Sequence, residues 1–366
     1  MRWYTDKGPS SDVVLSSRVR LARNLAHEPF PDAMQIEDAQ RIESKIEQAL
    51  FEANAQMQTA YQNVVLGDLD EANLASLVEK RLISEDLVQF HRRHQGQMGR
   101  LMIRQDEAAS ILIGDEDHLR IQSMRPGLDL MAAYVEADRL ATLLGEKLAL
   151  AYDQTFGFLT ACPTNLGTGM RASVLLHLPA LTACQKIQAF KRNVEQFNFT
   201  LRGAYGEHSR AEGCLYQLSN QTTLGLSEQT ILSHMEQLTT EVIRLERHYR
   251  EWLAKQASFD LKDKLYRNLG VLRYARQIST QEARSRLSDL ALMIELGWLQ
   301  ETDTTAESQW IKTVLMGLGS GELQRQAKRP LSEQERDFAR ATWIRTAIQN
   351  GLCIQEEDEE HVDSIE

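Results

Sequence analysis

The spacing of apolar residues changes character once along this chain, and that change most constrains the fold. Between residues 13 and 225 the runs VVLSSRVRL, LMIR, ASILI, HLRIQSM, SVLLHL, FTLRGAYG and CLYQLSN have the length and alternation of β-strands. Helical spacing interrupts them in EDAQRIESKIEQALFEA and DLMAAYVEADRLATLLGEKLA. After Ser227 the apolar positions Ile231, Met235, Leu238, Val242, Leu245, Tyr249 and Trp252 recur at steps of four and three, one seam on one long helix. Helical spacing continues from Phe259. Ser279 to Glu282 and Ser332 to Glu335 have capping-box spacing, with Gly297 and Gly351 placed as helix stops. The pattern predicts an α+β chain, a mostly antiparallel sheet flanked by helices, followed by an all-α C-terminal domain. The expected units are an N-terminal segment 1–12, a catalytic-type domain 13–250, a helical domain 251–354 and an acidic, solvated tail 355–366.

A formal net charge of −11 argues against a general nucleic-acid surface, which needs an excess of lysine and arginine. No apolar run approaches the roughly 18 residues of a membrane helix, and MRWYTDKGPSSD lacks the core of a secretion signal, so a cytoplasmic protein is expected. Cys162, Cys184, Cys214 and Cys353 lie far apart without a CxxC pair, which suggests neither a disulfide framework nor a zinc knuckle. No dedicated protein metal site is expected.

In so acidic a chain, arginines placed on strands need a reason. Arg18 and Arg20 in SSRVR, Arg120 in DEDHLR, Arg171 in TGMRAS and Arg202 in LRGAYGE all sit on strand-like runs. Residues two apart on a strand share a face, so Arg18 and Arg20 present two forks side by side. Such forks hold phosphate oxygens bidentately and stay charged. The commoner role for one arginine is a surface ion pair, but five in short motifs favour a polyphosphate. Carboxylates on two expected loops, GDEDH at 114–118 and GEHSRAEG at 206–213, could serve a metal, a sugar or a guanidinium. The turn CPTNLGTGMRAS ends in arginine where a phosphate-binding loop would carry lysine.

Taken in order, SSRVRLARN, VEKRLIS, GDEDHLRIQS, CPTNLGTGMRASVLLHLPAL and RGAYGEHSRAEG followed by YQLSNQTTLG resemble the motifs of the phosphagen (guanidino) kinases. That resemblance implies an antiparallel sheet flanked by helices and transfer of the γ-phosphoryl group of ATP, with Mg2+, to a guanidinium nitrogen. It implies that Glu116 is the general base, that Glu207 grips the other edge of the acceptor, and that Cys162, tuned by Thr164, lies beside it. ATP contacts carry over to Ser16, Ser17, Arg18, Val19 and Arg20, to Arg81 and Arg120, to Arg171, Ala172, Ser173, Val174 and Leu175, and to Arg202, Gly203, Ala204, Tyr205, Gly206 and Glu207. A multi-arginine clamp needs no lysine in the turn.

Kinases of small guanidines in that family carry a helical domain before the SSRVR motif, which here begins at Ser16. A helical domain follows instead, as in the bacterial protein arginine kinases, which the chain resembles. The resemblance implies protein substrates bearing exposed arginine, a homodimer or larger assembly, a small zinc-binding activator, and delivery of marked proteins to a Clp protease with control of stress repressors. RDFARA, residues 336–341, is similar to the phosphoarginine-binding motif of those kinases, implicating Arg336, Asp337, Arg340 and Ala341 and feedback on activity. By residue type alone this stretch is a solvated helix face. Departures from the family pattern are Gly114 and Asp115 before Glu116, Arg81 in place of histidine, Leu175, and the VQFHRRHQGQMGRLM stretch, whose HRRH run is expected to be solvated. Two rival readings are a phosphoarginine-binding module that has lost turnover and a phosphagen kinase acting on free arginine.

Overall fold

Strand β1, Val14–Arg23, is read differently from its two sides: Val19 and Leu21 are buried, whereas Arg18 and Arg20 on the alternate face are half-buried. The computed structural model describes residues 4–54, 61–93, 99–204, 211–256, 259–302 and 310–353. After β1 the chain forms α1 (Ile36–Asn54), β2 (Tyr61–Val65), α2 (Glu71–Glu79) and α3 (Glu85–Arg93). Strands β3 (Arg100–Arg104), β4 (Ala109–Ile113) and β5 (Leu119–Pro126) follow, then α4 (Leu130–Gly145) and a short hairpin of β6 (Tyr152–Asp153) and β7 (Gly157–Phe158). Next come β8 (Met170–His177), α5 (Pro179–Ala183), α6 (Ile187–Glu195), β9 (Phe199–Gly203) and β10 (Leu215–Asn220). The long helix α7 (Glu228–Lys255) leads to α8 (Phe259–Tyr274), α9 (Thr280–Glu295), β11 (Gln300–Glu301), α10 (Trp310–Met316), α11 (Ser320–Ala327), α12 (Glu333–Gly351) and β12 (Leu352–Cys353).

Eight strands form one sheet in the order β2-β3-β4-β5-β1-β8-β10-β9, antiparallel at every pairing. Register fixes which residues share a face, because directly paired residues lie on the same side. Arg20 pairs with Arg171, Arg18 with Ser173, Ala22 with Arg120, and Gln217 with both Leu175 and Arg202. All of these therefore stand on one face. The opposite face carries Val19, Leu21, Ile121, Met170, Ala172, Val174 and Leu218, which join α4 and α7 residues in the main core. Asp129 caps α4 by accepting from Ala132 N at 3.2 Å, and it is tied to the sheet because its own N–H donates to Ser17 Oγ at 3.0 Å.

The C-terminal helices α8, α9, α10 and α12 bury a second core around Leu269, Leu287, Met293, Ile344 and Ile348. The expected caps form: Ser279 Oγ accepts from Glu282 N, and Ser332 with Glu335 makes a complete capping box. Gly297 has the left-handed backbone (φ 76°) that ends α9. Gly351 does not behave that way. It is the last residue of α12, whose C-cap is extended Leu352, and β12 pairs with β11, so the C-terminal part is helical with one small ribbon.

The structure adds detail that the sequence pattern does not carry. The seam on α7 is rotated: Glu246 and Arg250 are buried while Trp252 is half-exposed. Glu246 is held inside because its carboxylate accepts from Ala180 N and Leu181 N, both at 2.9 Å, capping α5 from outside, and from Arg250 Nε at 3.1 Å. The N-terminal segment packs into the body, with Tyr4 buried and Asp12 paired to Arg247 and Arg250. His91 of the HRRH run is buried rather than solvated; His94 lies outside the described residues, as does the acidic tail. The expected boundary at residue 250 falls within α7.

Candidate active site

The polar face of the sheet gathers several guanidinium groups within mutual electrostatic reach. Arg20, Arg120 and Arg171 line a small cleft together with Ala22, Glu116, Asn165 and Gly169. Burial, then repulsion from Arg18, Arg120 and Arg171, holds the Arg20 guanidinium well below its ordinary pKa, with Asp115 opposing. Arg18 is pushed down to about 9, first by burial and then by Arg81, Arg120 and Arg171. Arg171 is lowered by burial and by Arg202 and Arg120. Nε of Arg20 and of Arg171 is buried without a hydrogen-bond acceptor among the described residues. Like charges this close raise the free energy of the unliganded protein, and a bound polyanion would relieve it.

Each guanidinium that has a partner is aimed by it. Asp115, fully inside the β4–β5 hairpin, sits 2.6 Å from Arg120 Nη1 and accepts from Ser84 Oγ at 2.7 Å. Gly114 opens that hairpin with φ 79°, a conformation glycine adopts without strain. Gln217 Oε1 accepts from Arg81 Nη1 at 3.1 Å and from Arg18 Nη2 at 3.4 Å, and Arg81 Nη2 donates to Ala204 O at 3.1 Å.

Glu116 is the carboxylate that opens into the cleft, its side chain 37% exposed and 3.5 Å from Arg120 Nη2. Burial raises its pKa; Arg120 and a bond from Cys162 oppose, while Asp117 and Asp115 add to the rise. Cys162 Sγ and Thr164 Oγ1 share a 3.0 Å hydrogen bond. Asp117 ties the two loops together: its Oδ1 accepts from Asn24 Nδ2 at 2.6 Å and from Ala161 N at 2.7 Å. The resulting geometry places a proton acceptor, a thiol and at least three cations around one small space.

Among the predicted nucleotide contacts the structure brings together Arg18, Arg20, Arg81, Arg120, Arg171, Ser173 and Arg202, with Ser16 and Leu175 on the same face. It does not bring Val19, Ala172 or Val174 to that face; they are wholly buried in the core behind the sheet. Ser17 also points away, donating to Gly127 O at 2.8 Å. Gly203 ends β9 and Ala204 receives Arg81, whereas Tyr205, Gly206 and Glu207 lie outside the described residues, and with them the pairing of Glu116 to Glu207. Asp115, Asp117, Asn165 and Gln217 were given no individual role from the sequence. Gln217 was discoverable, since it shares its strand face with Ser219 and pairs across to Arg202.

The RDFARA stretch is more engaged than a solvated face would be. Arg340 is buried, donating from Nε to Leu318 O at 2.9 Å and from Nη1 to Ile278 O at 2.8 Å and Asp337 Oδ1 at 2.5 Å. Arg336 is half-buried and donates to Leu331 O at 2.8 Å, and Ala341 is buried in the C-terminal core. Replacing Arg340 by alanine strands two buried carbonyls and is expected to cost about 3 kcal/mol or more in denaturant unfolding, against less than about 1 kcal/mol for Arg336→Ala.

Comparison with known proteins agrees with this architecture. Residues 41–249 match the model of the ATP:guanido phosphotransferase C-terminal catalytic domain, and residues 258–361 match that of the protein-arginine kinase McsB C-terminal domain. A protein-arginine kinase of Brevibacillus brevis is 37% identical over 94% of both chains. One from Geobacillus sp. is 39% identical over 94% of this chain and 93% of its own. Among solved structures, the duplicated taurocyamine kinase of Schistosoma mansoni with bound transition-state analogue components superposes with a TM-score of 0.59 at 28% identity, covering 68% of this chain and 35% of that one. A lombricine kinase structure gives 0.56 at 23% identity, covering 65% and 67%, and bears on the fold alone.

Proposed function

This chain belongs to the ATP:guanido phosphotransferase family, in its protein-arginine kinase branch, and from that premise we propose that it transfers the γ-phosphoryl group of MgATP to arginine side chains of proteins. One observation carries the reading: a half-exposed carboxyl, Glu116, lines the same cleft as Arg20, Arg120 and Arg171. The cations suit the equatorial oxygens of a transferring phosphoryl group, where charge is spread while little covalent work is asked of the protein.

An arginine side chain in water is a cation with no lone pair to offer, so the acceptor must be aligned and must lose a proton. Glu116 supplies the acceptor for that proton. As the N–P bond forms, the bond from the γ-phosphorus to the β-bridging oxygen breaks, the proton on the attacking nitrogen passes to Glu116, and ADP leaves among the arginines. The donor set also bears on Mg2+. Among the described residues no three His, Cys, Asp or Glu side chains are grouped to hold a metal ion. That suits an ion carried in by the phosphates, as magnesium commonly is, and such an ion neutralises phosphate charge.

That curated relatives along almost the whole chain are protein-arginine kinases supports an acceptor arginine displayed on a polypeptide. Incubation with MgATP and either an unfolded basic protein or free arginine, followed by assay of acid-labile phosphate on arginine, tests this directly. Labelling of the protein alone is the expected result; labelling of free arginine alone would overturn the substrate class, and labelling of neither would overturn the activity. The same reading extends to RDFARA. Burial lowers the Arg340 pKa, Asp337 opposes, and Arg336 and Arg284 lower it further; these three neighbouring guanidinium groups, offset in part by Asp337 and Glu212, support docking of phosphoarginine. Calorimetry with phosphoarginine should show binding that Arg336→Ala abolishes while the fold is retained.

A further inference from the structure

Helices α2 and α11, one from each part of the chain, approach too closely for side chains to intervene. A Cβ on Gly321 would collide with Ser76 N, and one on Gly319 with the Glu79 carboxylate. The gap admits Glu79 to the start of α11, whose N-cap Gly319 has no side chain of its own to offer. Glu79 Oε1 accepts from Gly321 N at 2.9 Å and Oε2 from Glu322 N at 3.1 Å, so α11 is capped from a different helix. Glu322 reaches back in turn. Its Oε2 accepts from Ser76 Oγ at 2.8 Å and lies 3.4 Å from Lys80 Nζ, with all three side chains buried.

This clasp ends one residue from the cation cluster. Lys80 is the C-cap of α2, and the next residue, Arg81, takes the left-handed conformation (φ 60°) that a side chain adopts only when its surroundings impose it. Two bonds impose it here: Arg81 N donates to Val78 O at 2.8 Å, and Gln122 Nε2 donates to Arg81 O at 3.0 Å. From that point the guanidinium spans to Gln217 and to Ala204, and Gln217 shares its oxygen with Arg18. A displacement of the end of α2 therefore moves one of the groups that hold Arg18, which also donates from Nε to Ser173 Oγ at 3.4 Å.

We propose that Glu79, Ser76 and Glu322 are positioning residues of the phosphoryl-transfer site, through which α11 of the C-terminal part fixes Arg81 against Gln217 and so aligns Arg18 for phosphate. The proposal rests on the cluster being the nucleotide site. It differs from simple gluing of two cores in what it predicts for a double-mutant cycle, because residues that act through one another are not additive.

The experiment uses the full chain as wild type, Glu79→Gln, Arg81→Met and the double variant, with MgATP affinity by calorimetry, kcat and KM for a basic unfolded protein, and thermal unfolding. Glu79→Gln should raise the Kd for MgATP about tenfold, a coupling of ordinary size, while the double variant should bind no more weakly than Arg81→Met alone. Gly321→Ala, which forces the helices apart, should reproduce the loss of affinity if it folds; Glu79→Gln decides the matter if it does not. Additive losses, or a lowered unfolding midpoint with affinity and kcat within about twofold of wild type, would overturn the proposal. A wild-type chain that binds no MgATP would instead remove the reading of the cluster, and the proposal with it.

Discussion

Glu116→Gln should reduce phosphoryl transfer to protein arginine by about 10²- to 10⁴-fold, the span ordinarily attributed to a positioned general base. Affinity for MgATP should be unchanged or slightly higher, because the variant removes negative charge beside Arg120. The pH profile is a sharper test than the size of the loss. Burial raises the Glu116 pKa, and only the ionised carboxylate can take the acceptor's proton. A raised pKa keeps the group protonated to a higher pH, so the acid limb of kcat/KM should lie above the ordinary glutamate value of about 4.3. Activity should fall as pH drops through that shifted value, and the limb should vanish in the residual rate of Glu116→Gln. A profile identical in wild type and variant would assign the proton to another group.

Arg171→Met should separate function from stability in opposite directions. Loss of one preorganised donor to the transferring group should lower kcat/KM about 10²- to 10³-fold. The ligand-free protein should nevertheless become more stable, by about 1–2 kcal/mol in denaturant unfolding, because a buried Nε without an acceptor disappears together with repulsion from Arg202 and Arg120. The gain should shrink in the presence of MgATP, which stabilises the wild type by binding its folded form. A variant less stable than wild type without ligand would show that the cluster is not strained when empty of anion.

The parts of this molecule that were legible in its sequence are those governed by short-range rules. Seven strands announced themselves by alternation, and the caps at Ser279 and Ser332 by residues three apart, because both depend on neighbours in the chain. Strand β2, Tyr61–Val65, was missed: it lies at the sheet edge, pairs with β3 alone, and mixes Gln62 and Asn63 into an otherwise apolar run. The phase of α7 was misjudged at Trp252 because Glu246 and Arg250 are buried by partners on α5 and at residues 12 and 295, far away in sequence. The arginine face followed from period-two reasoning. Motif resemblance, which works on contiguous blocks, swept in Val19, Ala172 and Val174 from the other side of the sheet. Contacts between α2 and α11 had no local sign at all, since two glycines and a glutamate in a helix are common everywhere.

The alternation along β1 has a consequence for how such a chain can change over time. Its odd positions answer to the packing of α4 and its even positions to the cluster of charge proposed to hold a nucleotide, so an insertion or deletion of one residue would trade the two sets at a stroke. Point substitutions can drift within each set, but the length of the strand between Ser16 and Arg23 is frozen by two unrelated demands. Novelty in this architecture must therefore arise at its loops and at the helices appended after the sheet, where one requirement can be altered without disturbing the other.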